Sequence, residues 1–502
     1  MTNHHARLTL DPAFRVAEVN RRVFGSFVEH MGRCVYTGIF EPGHPAADDV
    51  GLRTDVAELT RELGVSVVRY PGGNFVSNYR WEDGVGPVAA RPTRLDLAWR
   101  SFESNEFGLN EFLQWSRRVG VEPMLAVNLG TRGVQEACDL LEYCNVAGGT
   151  YWSDLRIEHG VPEPYAVTLW CLGNEVDGPW QIGHKSAEDY GRLAAETAKA
   201  MKRLDPSVRL VACGSSGRSM PTFGQWEATV LEHAFDYVDY LSLHAYYDAE
   251  VCDLPTFLAS AVDMDQYISA VAATVDFVAA RRASRRRIQL SFDEWNVWSA
   301  SRFVGEDHLA FARRPRLIEQ VYDVADAVVV GSLLITLLQH ADRLTVACQA
   351  QLVNILGLIR TEPGGPAWRQ TIFHPFALTA RHARGVVLDV RAEAPSYDTE
   401  RYGPVSWLVA AATYDQPAGD LALFAVNRGE QALSLDVDLR AFPSLRLAGH
   451  TIVADDDIRA VNTREQPDRV VPREHDGARI VRRNLHAELP AVSWSCIRLV
   501  PA

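Results

Sequence analysis

The chain has 502 residues, of which 47% are hydrophobic and 23% are charged, and its formal net charge is −14. This composition is typical of a large globular protein with more than one domain. The acidic balance argues against nucleic acid or an anionic membrane as the main partner.

Residues 18–384 alternate short apolar runs with longer segments of helical periodicity. Helical patterns are clearest over 55–64, 109–120 and 187–206, and the last has Ser186 as a candidate N-cap. Eight strands alternating with helices predict a (β/α)8 TIM barrel. The strand candidates are residues 23–30, 65–73, 123–130, 166–175, 208–216, 240–247, 288–296 and 345–354.

The pattern changes near residue 385. Residues 385–502 hold short, partly alternating apolar runs separated by Gly, Pro, Asn and Asp, without a long helical period. This pattern predicts a C-terminal antiparallel β-sandwich. A strand-like run within residues 1–17, "ARLTLDP", is expected to join that sandwich.

Signals for secretion, membrane insertion and metal binding are absent from the sequence. Residues 1–12 contain no apolar segment of signal-peptide length, and the longest apolar run, residues 327–338, is too short to span a bilayer. We therefore expect a soluble cytoplasmic protein. The eight cysteines form no CxxC pair, and no HxH or HExxH motif occurs, so we expect free thiols, no metal site and no cofactor.

Polar side chains end all eight predicted strands, and none of them is a lysine. Polar residues often follow strands because loops are wet, but in a TIM barrel these ends share one face, which carries the chemistry. Three carboxylates in one mouth with little positive charge favour a neutral, hydroxyl-rich ligand. The residues are Glu29, Arg69 with Asn74 beyond it, Asn128, Asn174–Glu175, Ser215–Ser216, His244 with Tyr246, Glu294 and Gln351.

A pair of glutamates in a sugar pocket has a known chemical use. One carboxyl protonates the leaving oxygen, and the other attacks the anomeric carbon or activates water. Glu175 and Glu294 are the candidates, and Arg69 or Tyr246 beside one of them would hold it ionised. Sequence spacing leaves open which glutamate plays which part, and whether the reaction retains or inverts configuration.

Several long motifs resemble the α-L-arabinofuranosidases of glycoside hydrolase family 51. The resemblance covers nearly the whole chain, and the motifs together are highly specific. They are "VFGSFVEHMGRCVYTGIFEPGHP", "VVRYPGGNFVSNYRWEDGVGP", "LAWRSFESNEFGLNEF", "LWCLGNEVDGPWQIGHK", "LSLHAYY", "LSFDEWNVW" and "QLVNILGLI".

The resemblance implies roles that spacing does not supply. Glu175 matches the acid/base and Glu294 the nucleophile of a retaining double displacement. Arg69 and His244 match residues that orient or polarise these carboxylates. The positions that match furanose-binding residues are Glu29, Asn74, Asn174, Tyr246 and Gln351, and those that match aromatic walls are Trp99 and Trp298.

The resemblance also implies an exo-acting enzyme on terminal arabinofuranosyl residues of arabinan or arabinoxylan oligosaccharides, a jelly-roll-like sandwich and a homohexamer. Two alternatives stay open. One is a related glycosidase for another sugar, such as a β-xylosidase or an endo-glucanase. The other is a catalytically silent carbohydrate-binding or assembly protein, against which the intact Glu175 and Glu294 argue.

Overall fold

A computed structural model describes residues 4–502, so residues 1–3 of the predicted N-terminal segment lie outside the described part. A closed parallel barrel forms the larger part of it, and its last strand pairs back onto its first through Cys348 and Gly25. The predicted TIM barrel is confirmed. Its strands are β1 Gly25–Phe27, β2 Val67–Tyr70, β3 Glu122–Val127, β4 Leu169–Leu172, β5 Arg209–Ala212, β6 Tyr240–Tyr247, β7 Gln289–Val297 and β8 Leu344–Gln349.

One principal helix follows each barrel strand in the described residues. At the fourth, Ser186 accepts a hydrogen bond from the backbone N–H of Asp189, which confirms the expected N-cap. The helices are α1 Thr54–Leu63, α2 Leu109–Val119, α3 Val134–Asn145, α4 Ala187–Leu204, α5 Gln225–Ala234, α6 Ala261–Arg281, α7 Val324–Gln339 and α8 Phe373–His382. Shorter helices span Tyr151–Glu158 and Leu254–Leu258.

The long apolar run at 327–338 lies in α7, which is buried on nearly all sides. This helix packs against both α8 and the C-terminal sheet. At Gly331 a Cβ atom would lie 2.2 Å from the Trp494 ring, so only glycine allows this close approach. Apolarity all around a helix is therefore explained here by burial between the barrel and the C-terminal sheet. No helix within residues 4–502 has the length and apolarity required to cross a bilayer.

The C-terminal part contains two sheets in the described residues. The larger orders its strands as Arg15–Glu18, Val386–Leu388, Leu408–Asp415, Asp420–Asn427, Ser493–Pro501, Leu445–Val453 and Arg473–Glu474. The smaller orders them as Arg391–Glu393, His4–Thr9, Leu433–Asp438, Asn484–Leu489 and Ala478–Val481. A core of alternating residues from both sheets, such as Leu8, Leu423 and Leu435, lies between them.

The N-terminal strand His4–Thr9 runs antiparallel to Arg391–Glu393 but parallel to Leu433–Asp438, which is the one parallel pairing among the sandwich strands from His4 onward. Short hairpins decorate the loops: Arg94–Asp96 with Ser101–Glu103, Ile359–Thr361 with Ala367–Arg369, and Ser396–Thr399 with Gly403–Ser406. The first of these hairpins carries Trp99 in its turn, and the Trp99 indole N–H reaches Glu29 beyond the first barrel strand.

Candidate active site

Glu294 lies near the carboxyl end of β7 and is held at both carboxylate oxygens. Arg69 Nη1 donates a hydrogen bond to its Oε1 over 2.7 Å, and the Tyr246 hydroxyl donates to its Oε2 over 2.8 Å. Burial and the neighbouring carboxylate of Glu294 raise the pKa of Tyr246 well above its ordinary value, so the hydroxyl keeps the proton that it donates. The carboxylate is thus fixed in rotation by one charged and one neutral donor.

Glu175 follows β4 in a strained backbone conformation. Its φ is 44°, in the left-handed region that residues with a Cβ rarely adopt, and Gly173 before it has a φ of 96°. The side chain is held by His244 Nδ1, 2.8 Å from Oε1, and by the indole N–H of Trp180, which donates to Oε2 over 2.9 Å. Strain of this kind typically persists where the surroundings fix a functional side chain.

The two glutamates face each other. One carboxylate oxygen of Glu175, one of Glu294 and one ring nitrogen of His244 all lie within 4.8 Å of one another. Retaining glycosidases hold their carboxyl groups about 5–5.5 Å apart, whereas inverting enzymes need about 6.5–9.5 Å to admit a water molecule. One oxygen of Glu175 and one of Glu294 thus lie closer together than the inverting range.

Two buried cations organise the carboxylates. Burial alone would lower the pKa values of Arg69 and His244. The negative charges around them outweigh burial, so both pKa values lie well above the ordinary ones and both side chains are cationic. Arg69 also donates through Nη2 to Asn174 Oδ1 over 2.6 Å, which links β2 to the loop that carries Glu175.

Glu29 forms a second polar centre of the pocket, beyond the end of β1. Its Oε1 accepts hydrogen bonds from the Phe75 backbone N–H and the Trp99 indole N–H, and Gln351 Nε2 donates to its Oε2 over 3.0 Å. Asp96 fixes the Trp99 turn by accepting from its backbone N–H over 2.9 Å. This set joins the loops after the first and last barrel strands to the Trp99 hairpin in one wall of the pocket.

Amides and aromatic rings complete the pocket. Asn174 Nδ2 donates to Asn74 Oδ1 over 3.3 Å, and Gln181 Nε2 donates to the same oxygen. Trp298 contacts the Tyr246 ring edge-on, with ring centroids 5.2 Å apart, and Phe303 lies against Trp298 at 6.0 Å. The site thus offers amide and carboxylate groups beside apolar ring surfaces, as sugar recognition requires.

Not every predicted strand-end residue joins this cluster. The side-chain Oδ1 of Asn128 accepts from the backbone N–H groups of Gly130 and Thr131, so this side chain shapes its own loop. The backbone N–H of Ser216 donates to Asp177, and the N–H of Ser215 donates to Glu227. The end of β3 thus serves its own loop, whereas the end of β5 is tied through Asp177 to the loop that carries Glu175.

The structure adds residues that the sequence pattern did not assign to the site. Asp293 lies beside both buried cations, Gln181 positions Asn74, and Asp96 holds the Trp99 turn. A signal existed for Asp293, because it directly precedes Glu294. A regular strand, however, would point the two side chains to opposite faces.

The protonation of Glu29 can be tested through the pH dependence of the free energy of unfolding. Burial raises the pKa of its carboxyl from 4.5 to about 8. Because the folded protein then holds a proton that the unfolded chain has released, stability should fall as pH rises through this interval, by on the order of a few kcal/mol. In Glu29→Gln the fall should be smaller, which thermal unfolding from about pH 5 to pH 8 would measure.

The glutamine variant is a fair comparison, since its amide oxygen keeps the Phe75 and Trp99 hydrogen bonds. Its amide nitrogen would meet Gln351, whose Oε1 has no hydrogen-bond partner and accepts after an amide flip. Parallel pH dependences for the two proteins would show that Glu29 is ionised throughout this range.

The protein families that match this chain agree with the resemblance described above. Residues 59–269 match the family model described as α-L-arabinofuranosidase 1 domain, and residues 293–493 match the α-L-arabinofuranosidase C-terminal domain. The second match starts inside β7, so it spans the end of the barrel as well as the sandwich.

Relatives match over almost the full chain. An intracellular exo-α-(1→5)-L-arabinofuranosidase of Streptomyces lividans is 58% identical over 98% of this chain and 75% of its own length. A Bacillus subtilis protein of the same description is 50% identical over 98% of this chain and 99% of its own length. The solved structure of a family 51 α-L-arabinofuranosidase from Bifidobacterium longum superposes with a TM-score of 0.95 at 47% identity, covering 99% of this chain and 100% of that one.

Proposed function

The chain belongs to the α-L-arabinofuranosidases of glycoside hydrolase family 51, and on that premise we propose that it removes single terminal α-L-arabinofuranosyl residues from oligosaccharides with retention of configuration. The observation that carries the proposal is the facing pair Glu175 and Glu294, in which one oxygen of each carboxyl group lies within 4.8 Å of the other. Two carboxyl groups this close leave no room for a water molecule between one of them and the sugar.

Glu294 is the nucleophile in this proposal. Its carboxylate is oriented by Arg69 and Tyr246, and one of its oxygens attacks the anomeric carbon. The bond from that carbon to the leaving oxygen breaks as the new ester bond forms. Arg69 keeps the attacking group ionised and in place, and the Tyr246 hydroxyl restricts its rotation.

Glu175 is the acid/base in this proposal. In the first step its proton goes to the leaving oxygen, so that a sugar alcohol departs instead of an alkoxide. In the second step its carboxylate takes a proton from water, the hydroxide oxygen bonds to the anomeric carbon, and Glu294 is released. Two inversions at one carbon give net retention.

The pocket walls support removal of one residue at a time. Glu29 with Gln351, Asn74 with Asn174, and the Trp99 turn surround the reacting position from several barrel loops. Such an enclosure fits one furanose ring, and a longer chain would extend past the exposed Trp180 beside Glu175. Endo-cleavage needs an open groove instead.

Substrate and setting are further parts of the proposal. Relatives named for the α-(1→5) linkage at 58% and 50% identity favour short arabinan-derived oligosaccharides. A Bifidobacterium longum relative named for the α-(1→6) linkage is also 50% identical, so the overall similarity does not determine the linkage, and arabinoxylan oligosaccharides stay candidates. The relatives' description as intracellular favours a cytoplasmic enzyme, and metal-free chemistry and a homohexamer remain predictions.

The stereochemical outcome tests the central claim. We expect the first arabinose released from a nitrophenyl α-L-arabinofuranoside to be the α-anomer, observed by proton NMR before mutarotation. Nitrophenyl β-xyloside and β-glucoside serve as controls for specificity and should react far more slowly. A β-configured first product would exclude Glu294 as nucleophile.

A further inference from the structure

Asp293 precedes the proposed nucleophile and is almost fully buried, with a side chain 2% exposed. Between Ser291 and Glu294, β7 has one more residue than the facing stretch of β6, and the same excess appears against β8. This is a β-bulge, and it allows consecutive side chains to point toward the same side. Asp293 and Glu294 therefore both face the cationic cluster.

The carboxylate of Asp293 contacts both buried cations from behind. Its Oδ1 lies 3.2 Å from His244 Nε2, and its Oδ2 lies 3.7 Å from Arg69 Nε. The Cys171 thiol donates to Oδ2 over 3.6 Å. Burial keeps the pKa of this thiol well above its ordinary value, so it stays a donor.

Each of these cations contacts a catalytic glutamate with its opposite end. His244 holds Glu175 at 2.8 Å and lies 3.6 Å from Glu294, whereas Arg69 holds Glu294 at 2.7 Å. Asp293 thus reaches both glutamates through one intermediate side chain. It has no direct part in binding the sugar, because its oxygens are covered by these partners.

We propose that Asp293 is a positioning residue that orients His244 and Arg69 and keeps the catalytic cluster neutral through the first chemical step. Before reaction, Arg69 and His244 carry positive charges, Asp293 and Glu294 carry negative ones, and Glu175 is protonated. After reaction, Glu294 is a neutral ester and Glu175 is a carboxylate, so the total is again zero. This proposal rests on the roles proposed above for the two glutamates.

The charge balance has consequences for pH. Burial opposes ionisation of Asp293, but Arg69 and His244 outweigh it and lower its pKa below the ordinary value, so the charge persists across the working range. Loss of this charge would make the cluster release a proton at lower pH, whether from Glu175 or from His244. The groups facing Asp293 from the surrounding strands are Arg69 on β2, Cys171 on β4, Cys213 after β5, His244 on β6, Glu294 on β7 and Cys348 on β8.

The test is the pH profile of Asp293→Asn, which keeps the shape and removes the charge. We expect kcat to fall on the order of 10²-fold, because the two cations lose their orientation. The alkaline limb of the pH profile of kcat/KM should shift to lower pH by about one unit or more. KM should change little. Asp293→Glu keeps the charge, so it should lose kcat while retaining the wild-type alkaline limb.

Asp239→Asn is the matched control, because Asp239 pairs with Lys202 at 2.7 Å near the start of β6, at the opposite end of the barrel. It should leave the profile unchanged. An unmoved alkaline limb in Asp293→Asn would overturn the proposal. If Asp293→Asn does not fold, a displaced alkaline limb in Asp293→Glu would overturn it instead. Neither result would bear on the assignment of Glu294 as nucleophile, which azide trapping with Glu294→Ala tests separately.

Discussion

Replacement of Glu294 by alanine should abolish hydrolysis of every α-L-arabinofuranoside, whatever its leaving group. The substitution removes the attacking oxygen, so no ester can form even when the leaving group departs without help. Loss of a nucleophile of this kind typically costs on the order of 10⁶-fold in kcat. Steady-state kinetics with a series of aryl arabinofuranosides would measure the loss.

Azide gives this prediction its second part. The alanine side chain leaves a space beside Arg69 and Tyr246 that a small anion fills, and Arg69 attracts it. Azide there attacks the face that Glu294 would have attacked, and no second inversion follows. The expected product is therefore the arabinosyl azide of inverted configuration, which NMR would identify.

Glu122→Ala is the matched control for this experiment. Glu122 begins β3 at the opposite end of the barrel and pairs with Arg22 at 2.7 Å. This variant should hydrolyse the same substrates at close to the wild-type rate and form no azide product. Residual activity of Glu294→Ala on activated substrates, without azide, would contradict the nucleophile assignment.

The fold was largely predictable because burial imposes a simple pattern on the chain. Parallel barrel strands are covered on both sides, so they appear as short, continuous apolar runs between helical segments. The ends of the elements were less predictable. Strand β1 stops at Phe27 and β8 at Gln349, so Glu29 and Gln351 stand on loops beyond the strands that were expected to carry them.

The candidate site was predictable where one rule sufficed. The carboxyl ends of barrel strands share one face, and this brought Arg69, Glu175, His244 and Glu294 together in the prediction. The same rule also selected Asn128, which accepts hydrogen bonds from its own loop, and Ser216, which bonds to Asp177 in the loop after β4. Which polar strand end faces inward depends on loop conformation, which sequence does not give without a resemblance.

Asp293 shows why the remainder escaped prediction. Strand alternation separates consecutive side chains, so a carboxylate next to the nucleophile would be expected to point away from it. The β-bulge in β7 cancels this alternation, and its presence follows from the pairing with β6 and β8 instead of from any local motif. Gln181 reaches the site similarly, from a loop after Glu175 that has no periodic pattern.

Replacement of Glu175 by alanine should cause a loss that depends on the leaving group. The substitution removes a proton donor, and general acid catalysis typically contributes on the order of 10²–10⁴-fold. A sugar alcohol needs that proton, so natural oligosaccharides should lose the full factor. A dinitrophenolate leaves without protonation, so formation of the glycosyl-enzyme should remain fast for that substrate.

The second step still needs Glu175 as base. With a dinitrophenyl substrate the variant should therefore show a burst of one phenolate per active site, followed by slow turnover. Azide attacks without a base and enters where water would enter, so it should speed the steady state and give the arabinosyl azide of retained configuration. Pre-steady-state kinetics with and without azide would measure both effects.

The two azide products distinguish the glutamates more sharply than the rates do. Glu175→Ala keeps Arg69, Tyr246 and Glu294 in place, so the ester still forms and azide must attack from the opposite face. Glu294→Ala keeps the donor but lacks the ester, so the azide product is inverted. If the retained product came from Glu294→Ala, and Glu175→Ala were inactive toward every leaving group, the two roles would have to be exchanged. That exchange would also leave Arg69, a permanent cation, paired with the acid/base and not with the nucleophile.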